Sequence, residues 1–289
     1  LADAGAKRVV FDILFVEPSL EPKKDEELAF AMTRMPTFLG AAVGLSQQAT
    51  LNGSYMLEEL LKPAPVFASK AAGIGTVGLP LRYGRPREFN VTRSSLFPEV
   101  QSLAEAASGL TFAGEYVGER DLINFYGSSR TISTVPYYMV LAEDHPIPPQ
   151  VFADKIVFVG LNLKSRTGPS QREAFTTPFD TTTFGTEIHA TATSNLLMRY
   201  WIKRVSIQRE IGIQGAVCTF FALIVLGLSG VTLLLALPCS ILAFILLQYG
   251  LFSVGLFLPL VTAVGCGTFF GLLSRIMLGN PLYGNIRRR

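Results

Sequence analysis

Two histidines, His145 and His189, are the side chains of this sequence best suited to acid–base chemistry or to metal binding. His189 stands in the run Glu187-Ile-His189, which offers two ligands, but no cysteine or second histidine nearby completes a metal site. His145 lies in an Asp-His-Pro loop, where we expect it to be exposed. The sequence contains neither a phosphate-binding glycine loop nor an evident pair of nucleophile and base. We therefore expect no catalytic residue, no metal and no cofactor.

Four polar residues are candidates for a ligand-binding site: Asp12, Asn124, Tyr126 and His189. Each lies in or beside a segment with the pattern of a strand or a helix. Strand ends and the turns that follow them commonly line the clefts of α/β proteins, which is why a ligand could meet these side chains. The alternative is that these groups brace one another in the core, with His189 as a buried hydrogen-bonding residue.

Short β-rich runs alternate with helical patterns through roughly the first 200 residues. This alternation predicts an α/β domain, and the length suits a single domain with one core. The predicted strands are residues 9–15, 37–43, 75–79, 122–125 and 155–159. The predicted helices are residues 25–35, 54–61, 98–107, 135–142 and 186–200.

The rest of the sequence is strongly apolar. Residues 211–274 form a block of 64 consecutive positions without Asp, Glu, Lys, Arg or His, and the mean hydropathy of the chain is +0.38. The net charge of +3 comes from the arginines after this block, which argues for anionic lipid headgroups rather than nucleic acid. All three cysteines lie within the block, which excludes a disulfide-rich scaffold.

The apolar block predicts three transmembrane helices, because a bilayer core takes about 20 helical residues per span. Gly227-Leu-Ser-Gly230 and Gln248-Tyr-Gly250 mark the two predicted turns, and Pro238 and Pro259 fall inside the second and third spans. The predicted spans are residues 211–229, 231–249 and 251–274. Two spans with a re-entrant loop are the alternative. An odd number of spans places the preceding domain and the tail on opposite sides of the membrane.

Aromatic and basic side chains flank the block, as is typical of membrane interfaces. Trp201 is the only tryptophan of the chain, and its alternative role is to pack under the folded domain. The helix predicted for residues 186–200 leads almost directly into the first span, so we expect a nearly continuous rod. The predicted interface residues are Tyr200, Trp201, Lys203, Arg204, Arg209, Arg287, Arg288 and Arg289.

Several segments, in their order along the chain, are similar to one known family. Among them are Val9-Val-Phe-Asp-Ile-Leu-Phe-Val-Glu-Pro18, Leu122-Ile-Asn-Phe-Tyr-Gly127, Phe152-Ala-Asp-Lys-Ile-Val-Phe-Val-Gly160 and Gly185-Thr-Glu-Ile-His-Ala190. They resemble the type 2 CHASE domain, an extracytoplasmic sensory module of bacterial receptors whose usual architecture has three trailing spans. The resemblance implies an N-terminal span and a first strand ahead of Leu1, and a cyclase or kinase output downstream of this chain.

Three parts are therefore predicted. Residues 1–204 form a single mixed-sheet α/β extracytoplasmic sensor domain, residues 205–274 a three-helix transmembrane bundle, and residues 275–289 a short basic cytoplasmic tail. The predicted function is to pass a stimulus across the bacterial inner membrane to a cytoplasmic output, without enzyme activity in this chain. The expected partners are the lipid bilayer, a second copy or other membrane subunits, and an output domain. The alternative is a structural or accessory subunit of a larger membrane complex.

Overall fold

The computed structural model describes residues 1–50, 53–90, 97–110, 117–118, 120–142, 147–162 and 174–279. The chain forms two compact units, Leu1–Trp201 and Ile202–Arg289. The first unit is built on a β-sheet with helices packed against it. The described part of the second unit consists mainly of apolar helices.

The sheet of the first unit has the strand order β3-β2-β1-β7, and β4 also pairs with β2. These strands are β1 (Arg8–Leu14), β2 (Thr37–Thr50), β3 (Gly53–Leu61), β4 (Gly73–Thr76) and β7 (Ile156–Gly160). All pairs are parallel except β2 with β3, so the predicted mixed sheet is confirmed. Two small hairpins lie outside the sheet: β5 (Leu81–Arg82) with β6 (Arg85–Pro86), and β8 (Ala174–Phe175) with β9 (Thr183–Phe184).

Residues 54–61 belong to strand β3, so the helix predicted there is wrong. β3 pairs with the second half of β2, with Val43 opposite Leu60 and Thr50 opposite Gly53. The run Met56-Leu-Glu-Glu-Leu-Leu61 consists of good helix formers. The antiparallel ladder along the whole of β3 overrides that local preference, because strand formation depends mainly on the partner strand.

Helices cover both faces of the sheet. Neighbouring residues of a strand point to opposite faces. Phe11 and Leu39 join the cluster that contains α1 (Pro22–Met32) and α2 (Pro65–Ala68), whereas Val10 and Phe38 join the cluster around α3 (Leu103–Ser108). A further cluster packs α3 against α5 (Gly185–Met198), so α5 lies on the α3 side of the sheet.

The short helix α3 is fixed by a capping box at its start, and by a glycine and an arginine at its end. Ser102 and Glu105 form a capping box, which starts the helix at Leu103 rather than at the predicted residue 98. Gly109 ends the helix in the left-handed conformation at φ 72°. The guanidinium of Arg8 donates to the carbonyl oxygen of Ala107 at 2.6 Å, which satisfies one of the last carbonyls.

Other predicted elements differ in extent. Residues 122–125 form no strand, and Leu122 makes only an isolated bridge with Glu88. The helix predicted for residues 135–142 is α4 (Tyr137–Leu141). α5 stops at Met198, because Arg199 adopts a left-handed conformation at φ 52°. The next helix begins only at residue 207, so the predicted nearly continuous rod is wrong.

The second unit contains α6 (Ile207–Gly227), α7 (Gly230–Ser253) and α8 (Val261–Gly279). The first predicted turn is confirmed between α6 and α7. The second is wrong, because residues 248–250 lie inside α7, and the break falls at residues 254–260 instead. Pro259 lies in that break rather than inside a helix, where its ring and missing N–H would disrupt helical hydrogen bonding. Pro238 lies within α7 as predicted.

Within the described residues, two helices of the second unit, α6 and α7, are long and apolar enough to cross a bilayer. The apolar part of α8, Val261–Met277, is shorter. An apolar cluster that includes Val217, Phe221 and Ala263 packs α6 against α8. Two short parallel strands, β10 (Lys203–Arg204) and β11 (Leu256–Phe257), complete the unit.

Candidate functional site

The first polar cluster lies where β1 and β7 end, beside the first turn of α5. Asp12 stands opposite Gly160 in the parallel pairing of these strands. The hydroxyl of Thr186 donates to Asp12 Oδ2 at 2.7 Å. Thr186 also packs directly on Gly160, at the place where any larger residue would put its Cβ. A glycine at position 160 therefore lets α5 approach the sheet closely enough for this hydrogen bond.

His189 is the buried member of this cluster, with 3 % of its surface exposed. Its Nε2 lies 3.1 Å from the carbonyl oxygen of Val77 and 4.0 Å from Asp12 Oδ1. Since a carbonyl only accepts, Nε2 carries the proton and donates to Val77. Burial lowers the pKa of His189, against the opposing effects of the Asp12 carboxylate and the Val77 carbonyl. The imidazole is accordingly neutral near pH 7.

The hydrogen bonds of this cluster hold neighbouring elements of the fold together. The hydroxyl of Thr186 donates its hydrogen bond to Asp12 and not to His189, so His189 is not placed to activate it as a nucleophile. The hydrogen bonds instead join β1, the segment after β4 and α5. Among the described residues, no group of three or more His, Cys, Asp or Glu side chains could hold a metal ion.

A second polar cluster lies further along α5 and centres on Asn195, which is fully buried. Asn195 Oδ1 accepts from the backbone N–H of Asn124 at 2.7 Å, and its Nδ2 donates to the carbonyl oxygen of Asn124 at 3.2 Å. The same amide donates to the hydroxyl of Tyr126 at 3.0 Å, and that hydroxyl also contacts Ser194 Oγ at 2.9 Å. Asn195 therefore fixes residues 124–126 against α5, because its amide pairs with both backbone groups of Asn124 as a neighbouring strand would.

The four candidate ligand residues thus fall into two clusters that lie beside different turns of α5. Asp12 meets His189, and Asn124 lies beside Tyr126, but His189 and Asn195 are six positions apart, or about 9 Å along the helix axis. Asn124 contributes its backbone rather than its side chain to the bonds described above. The exposed edge of Tyr126 and the partly exposed carboxylate of Asp12 are the surfaces that a ligand could reach. Ligand binding at these residues stays a prediction.

Two members of these clusters, Thr186 and Asn195, were not among the predicted site residues. A signal for Thr186 exists in the sequence of α5, where polar residues recur every three or four positions: Thr186, His189, Thr193. Thr193 is buried, and its hydroxyl donates to the carbonyl oxygen of His189 at 2.9 Å. A polar stripe on a helix of such an apolar domain indicates a face that is buried with its hydrogen bonds satisfied.

A loop over residues 128–132 is held at the first turn of α5 by two carboxylates. Glu187 Oε2 accepts from the backbone N–H of Arg130 at 2.9 Å, and Asp180 Oδ2 accepts from the backbone N–H of Ser129 at 3.2 Å. Backbone donors from Thr182 and Ser129 lower the pKa of Asp180, so its carboxylate stays charged. Glu187 thus orders a loop, rather than joining His189 as a metal ligand.

The predicted interface residues have varied surroundings. Trp201 packs against the cluster around Ile188, and its Nε1–H donates to Asp121 Oδ2 at 3.0 Å, so it packs under the folded domain. Tyr200, Lys203 and Arg209 are exposed. Arg204 is mostly covered and forms an ion pair with Glu210. His145 and the three terminal arginines Arg287, Arg288 and Arg289 lie outside the described residues.

An α/β domain with a mixed sheet, in which buried polar side chains join one helix to strands and loops, is the class that this fold and these clusters define. A family model, that of the CHASE2 domain, matches residues 1–231. The chain therefore belongs to the CHASE2 domain family, an extracytoplasmic sensory and non-catalytic family, which confirms the resemblance found in the sequence. No curated protein and no solved structure matches the chain.

Proposed function

We propose that this chain is the signal-input module of a bacterial membrane receptor. Its sensor domain lies outside the cytoplasm, and three membrane-spanning helices pass a stimulus to an output that this chain does not contain. The observation that carries the proposal is the extent of the CHASE2 match, which runs from residue 1 to residue 231 and so includes the whole of α6. A sensory domain that continues into an apolar helix fits attachment to a membrane.

Length and exposure support a membrane location for the helices. α6, α7 and α8 have 21, 24 and 19 residues, which correspond to about 28–36 Å at 1.5 Å per residue. A bilayer core is about 30 Å thick. Large apolar side chains such as Leu234, Leu246 and Phe269 are more than half exposed. Exposed apolar surface of this extent is suited to lipid rather than to water.

Contacts at the two ends of the unit support α8 as a third span. At one end, β10 pairs with β11, and Gln214 Nε2 donates to the carbonyl oxygen of Pro259 at 3.0 Å. At the other end, the guanidinium of Arg275 donates to carbonyl oxygens of Val225 and Leu228, at 3.0 and 2.6 Å. The start of α8 is therefore near the start of α6, and its end is near the end of α6. If α6 crosses the membrane, a parallel α8 crosses it in the same direction.

This arrangement leads to a proposed topology and to proposed partners. The sensor domain faces the periplasm or the exterior of a bacterial inner membrane, and the basic tail faces the cytoplasm. A shift of the sensor has an effect only if a bistable element receives it. We therefore propose that the helices act within a dimer, or together with other membrane subunits, on a cytoplasmic output domain.

Labelling of single cysteines tests this proposal. Cys218, Cys239 and Cys266 are replaced by alanine, and one cysteine is placed at Glu27, which is exposed on α1, or at Asn285 in the tail. In spheroplasts, a maleimide that does not cross membranes should label the cysteine at position 27. It should label the one at position 285 only after lysis. Labelling of position 285 alone in intact spheroplasts would contradict the topology, and labelling of both would contradict three spans.

A further inference from the structure

One end of the helical unit is fixed by the side chain of Arg204. Its Nε and Nη2 donate to the two carboxylate oxygens of Glu210, at 3.1 and 2.9 Å, and both side chains are about 90 % buried. The guanidinium also lies over the ring of Phe257, 5.8 Å from its centroid. Glu210 belongs to the first turn of α6, and Phe257 belongs to β11, just before α8. Arg204 therefore links the start of α6 to the segment that leads into α8.

The middle of α6 and α8 is packed backbone to backbone. A Cβ at Gly267 would collide with the carbonyl group of Cys218, and a Cβ at Gly271 would lie 2.8 Å from Val225 Cβ and 3.1 Å from Ala222 Cα. Gly267 and Gly271 are four positions apart and face the same side of α8, the spacing that lets membrane helices approach closely. Two helices in such close contact leave little room to slide past one another.

The far end of the pair is fixed by Arg275. The carbonyls of the last turn of a helix have no partner within the helix, and an unpaired carbonyl is strongly destabilising in an apolar medium. Arg275 of α8 donates to the carbonyl oxygens of Val225 and Leu228, which are at the end of α6. Its positive charge also complements the negative end of the helix dipole. Arg275 thus caps α6 from a different helix.

In the part of the chain that the structure describes, no polar side chain and no close glycine contact links α7 to α6 or α8. No residue of α7 is buried, whereas Val217, Phe221 and Val225 of α6 are. Its ring contacts with α6 come from Phe244, which packs against Phe220 and Phe221 at centroid distances of 5.8 and 5.2 Å. Apolar contacts between helices give little preference over lipid, because lipid tails are equally apolar. α7 is therefore held to the pair more weakly than α6 and α8 are held to each other.

We infer that α6 and α8 form one rigid parallel pair that carries displacement across the membrane, while α7 is a loosely attached return helix. This inference rests on the proposed function. Among the helices that the structure describes, α6 is the first that the chain enters after Trp201, and α8 follows α6 and α7. A displacement that enters at Ile207 would leave through the end of α8 with the register of the pair unchanged. Arg204 and Arg275 are the positioning residues that hold this register at the two ends.

Distance distributions between spin labels test the rigid pair without any need for the stimulus. In the full chain without its native cysteines, reconstituted in lipid nanodiscs, one label pair is placed at Leu223 of α6 and Leu272 of α8. A second pair is placed at Leu223 and Leu242 of α7; all three positions are exposed. We expect a narrow distribution for the α6–α8 pair and a clearly broader one for the α6–α7 pair. Equal widths would overturn the inference.

Matched variants sharpen this test. Substitution G271L should broaden the α6–α8 distribution, whereas G265L should not, because a Cβ at Gly265 meets nothing within 4 Å. R275Q should broaden it at the far end while R209Q, at an exposed position, leaves it unchanged. Equal effects of G271L and G265L would overturn the inference. If a variant fails to fold, the comparison between the two label pairs in the parent chain still tests the inference. The cysteine topology test is independent, so failure of the proposed function would be seen separately.

Discussion

The two units of this protein use buried polar side chains in different places. In the first unit, His189 and Asn195 lie within the folded interior, where they join one helix to strands and loops. In the second unit, the polar contacts of Arg204 and Arg275 lie at the ends of apolar helices. The sensor domain is therefore braced through its centre, whereas the helical unit is braced at its ends.

This difference follows from the surroundings of each unit. The first unit has apolar clusters on both faces of its sheet, so its polar braces add specificity to a core that already provides stability. The helices of the second unit expose much of their apolar surface, and in the membrane location that we propose, lipid would compete with helix contacts there. Hydrogen bonds and close backbone packing must then determine which helices stay together. Loss of a polar group should accordingly affect the two units by different amounts.

The largest expected effect comes from the ion pair of the second unit. Substitution Glu210→Leu leaves the Arg204 guanidinium buried without its carboxylate, which typically costs about 3–5 kcal/mol. We expect the free energy of unfolding, measured by chemical denaturation in detergent micelles, to fall by roughly that amount. Substitution Arg209→Leu is the control, since Arg209 is exposed in the same turn. A similar loss in both variants would mean that the pair does not stabilise this unit.

The central brace of the first unit should produce the next largest effect. Substitution Asn195→Ala removes partners from the backbone N–H and C=O of Asn124, and unsatisfied buried groups cost about 1–3 kcal/mol each. We expect a loss of about 2–3 kcal/mol in the free energy of unfolding of the first unit. Hydrogen exchange should also become faster at the amide of Asn124. Unchanged exchange at this amide would show that Asn195 does not hold that segment.

The stability of the first unit should depend on pH through His189. Because burial lowers the pKa of His189 in the folded protein, the unfolded chain takes up its proton first as the pH falls. The stabilising contribution is complete above the ordinary histidine pKa of about 6.5 and is lost as the pH falls below it. The melting temperature should therefore drop between pH 7.5 and pH 5.5, and H189Q should show a smaller drop. An equal drop in H189Q would assign the dependence to other groups.

The smallest expected effect concerns the partly exposed edge of the second cluster. Substitution Tyr126→Phe removes a hydroxyl that accepts from Asn195 and contacts Ser194, and we expect a cost of about 0.5–1 kcal/mol. Denaturant unfolding of this variant should give an unchanged m-value and a slightly lower midpoint. A loss as large as that of Asn195→Ala would mean that the hydroxyl, rather than the backbone contacts of Asn195, dominates this cluster.

Much of the fold of the first unit could be predicted from local patterns. Strands β1 and β7 and the helices α1 and α5 have clear periodicity and agree with the predicted segments to within a few residues. The strand β3 could not be predicted, because its residues favour a helix and only the pairing with β2 makes them a strand.

In the second unit, the break before α8 was predicted at the wrong residues. Gln248-Tyr-Gly250 has the composition of a turn, but these residues lie within α7. The break lies around Pro259 instead, where a proline interrupts helical hydrogen bonding.

The polar clusters were predictable in type but not in arrangement. Asp12 and His189 are unusual residues in apolar surroundings, and that contrast identified them. Their contact depends on Gly160 and on the close approach of α5 to the sheet, a distance that no local pattern contains. The backbone role of Asn124 is likewise set by Asn195, 71 positions away. Long-range partners of this kind require the folded structure.

We propose that the sensor domain is attached to helices of which α6 and α8 run in the same direction across the membrane. Cysteine accessibility at the two helix connections tests it most directly, with single cysteines at Ser229, between α6 and α7, and at Val254, between α7 and α8. Our account predicts that an impermeant maleimide labels position 254 in intact spheroplasts, and position 229 only after lysis. Labelling of both positions from outside, or of position 229 alone, would contradict it.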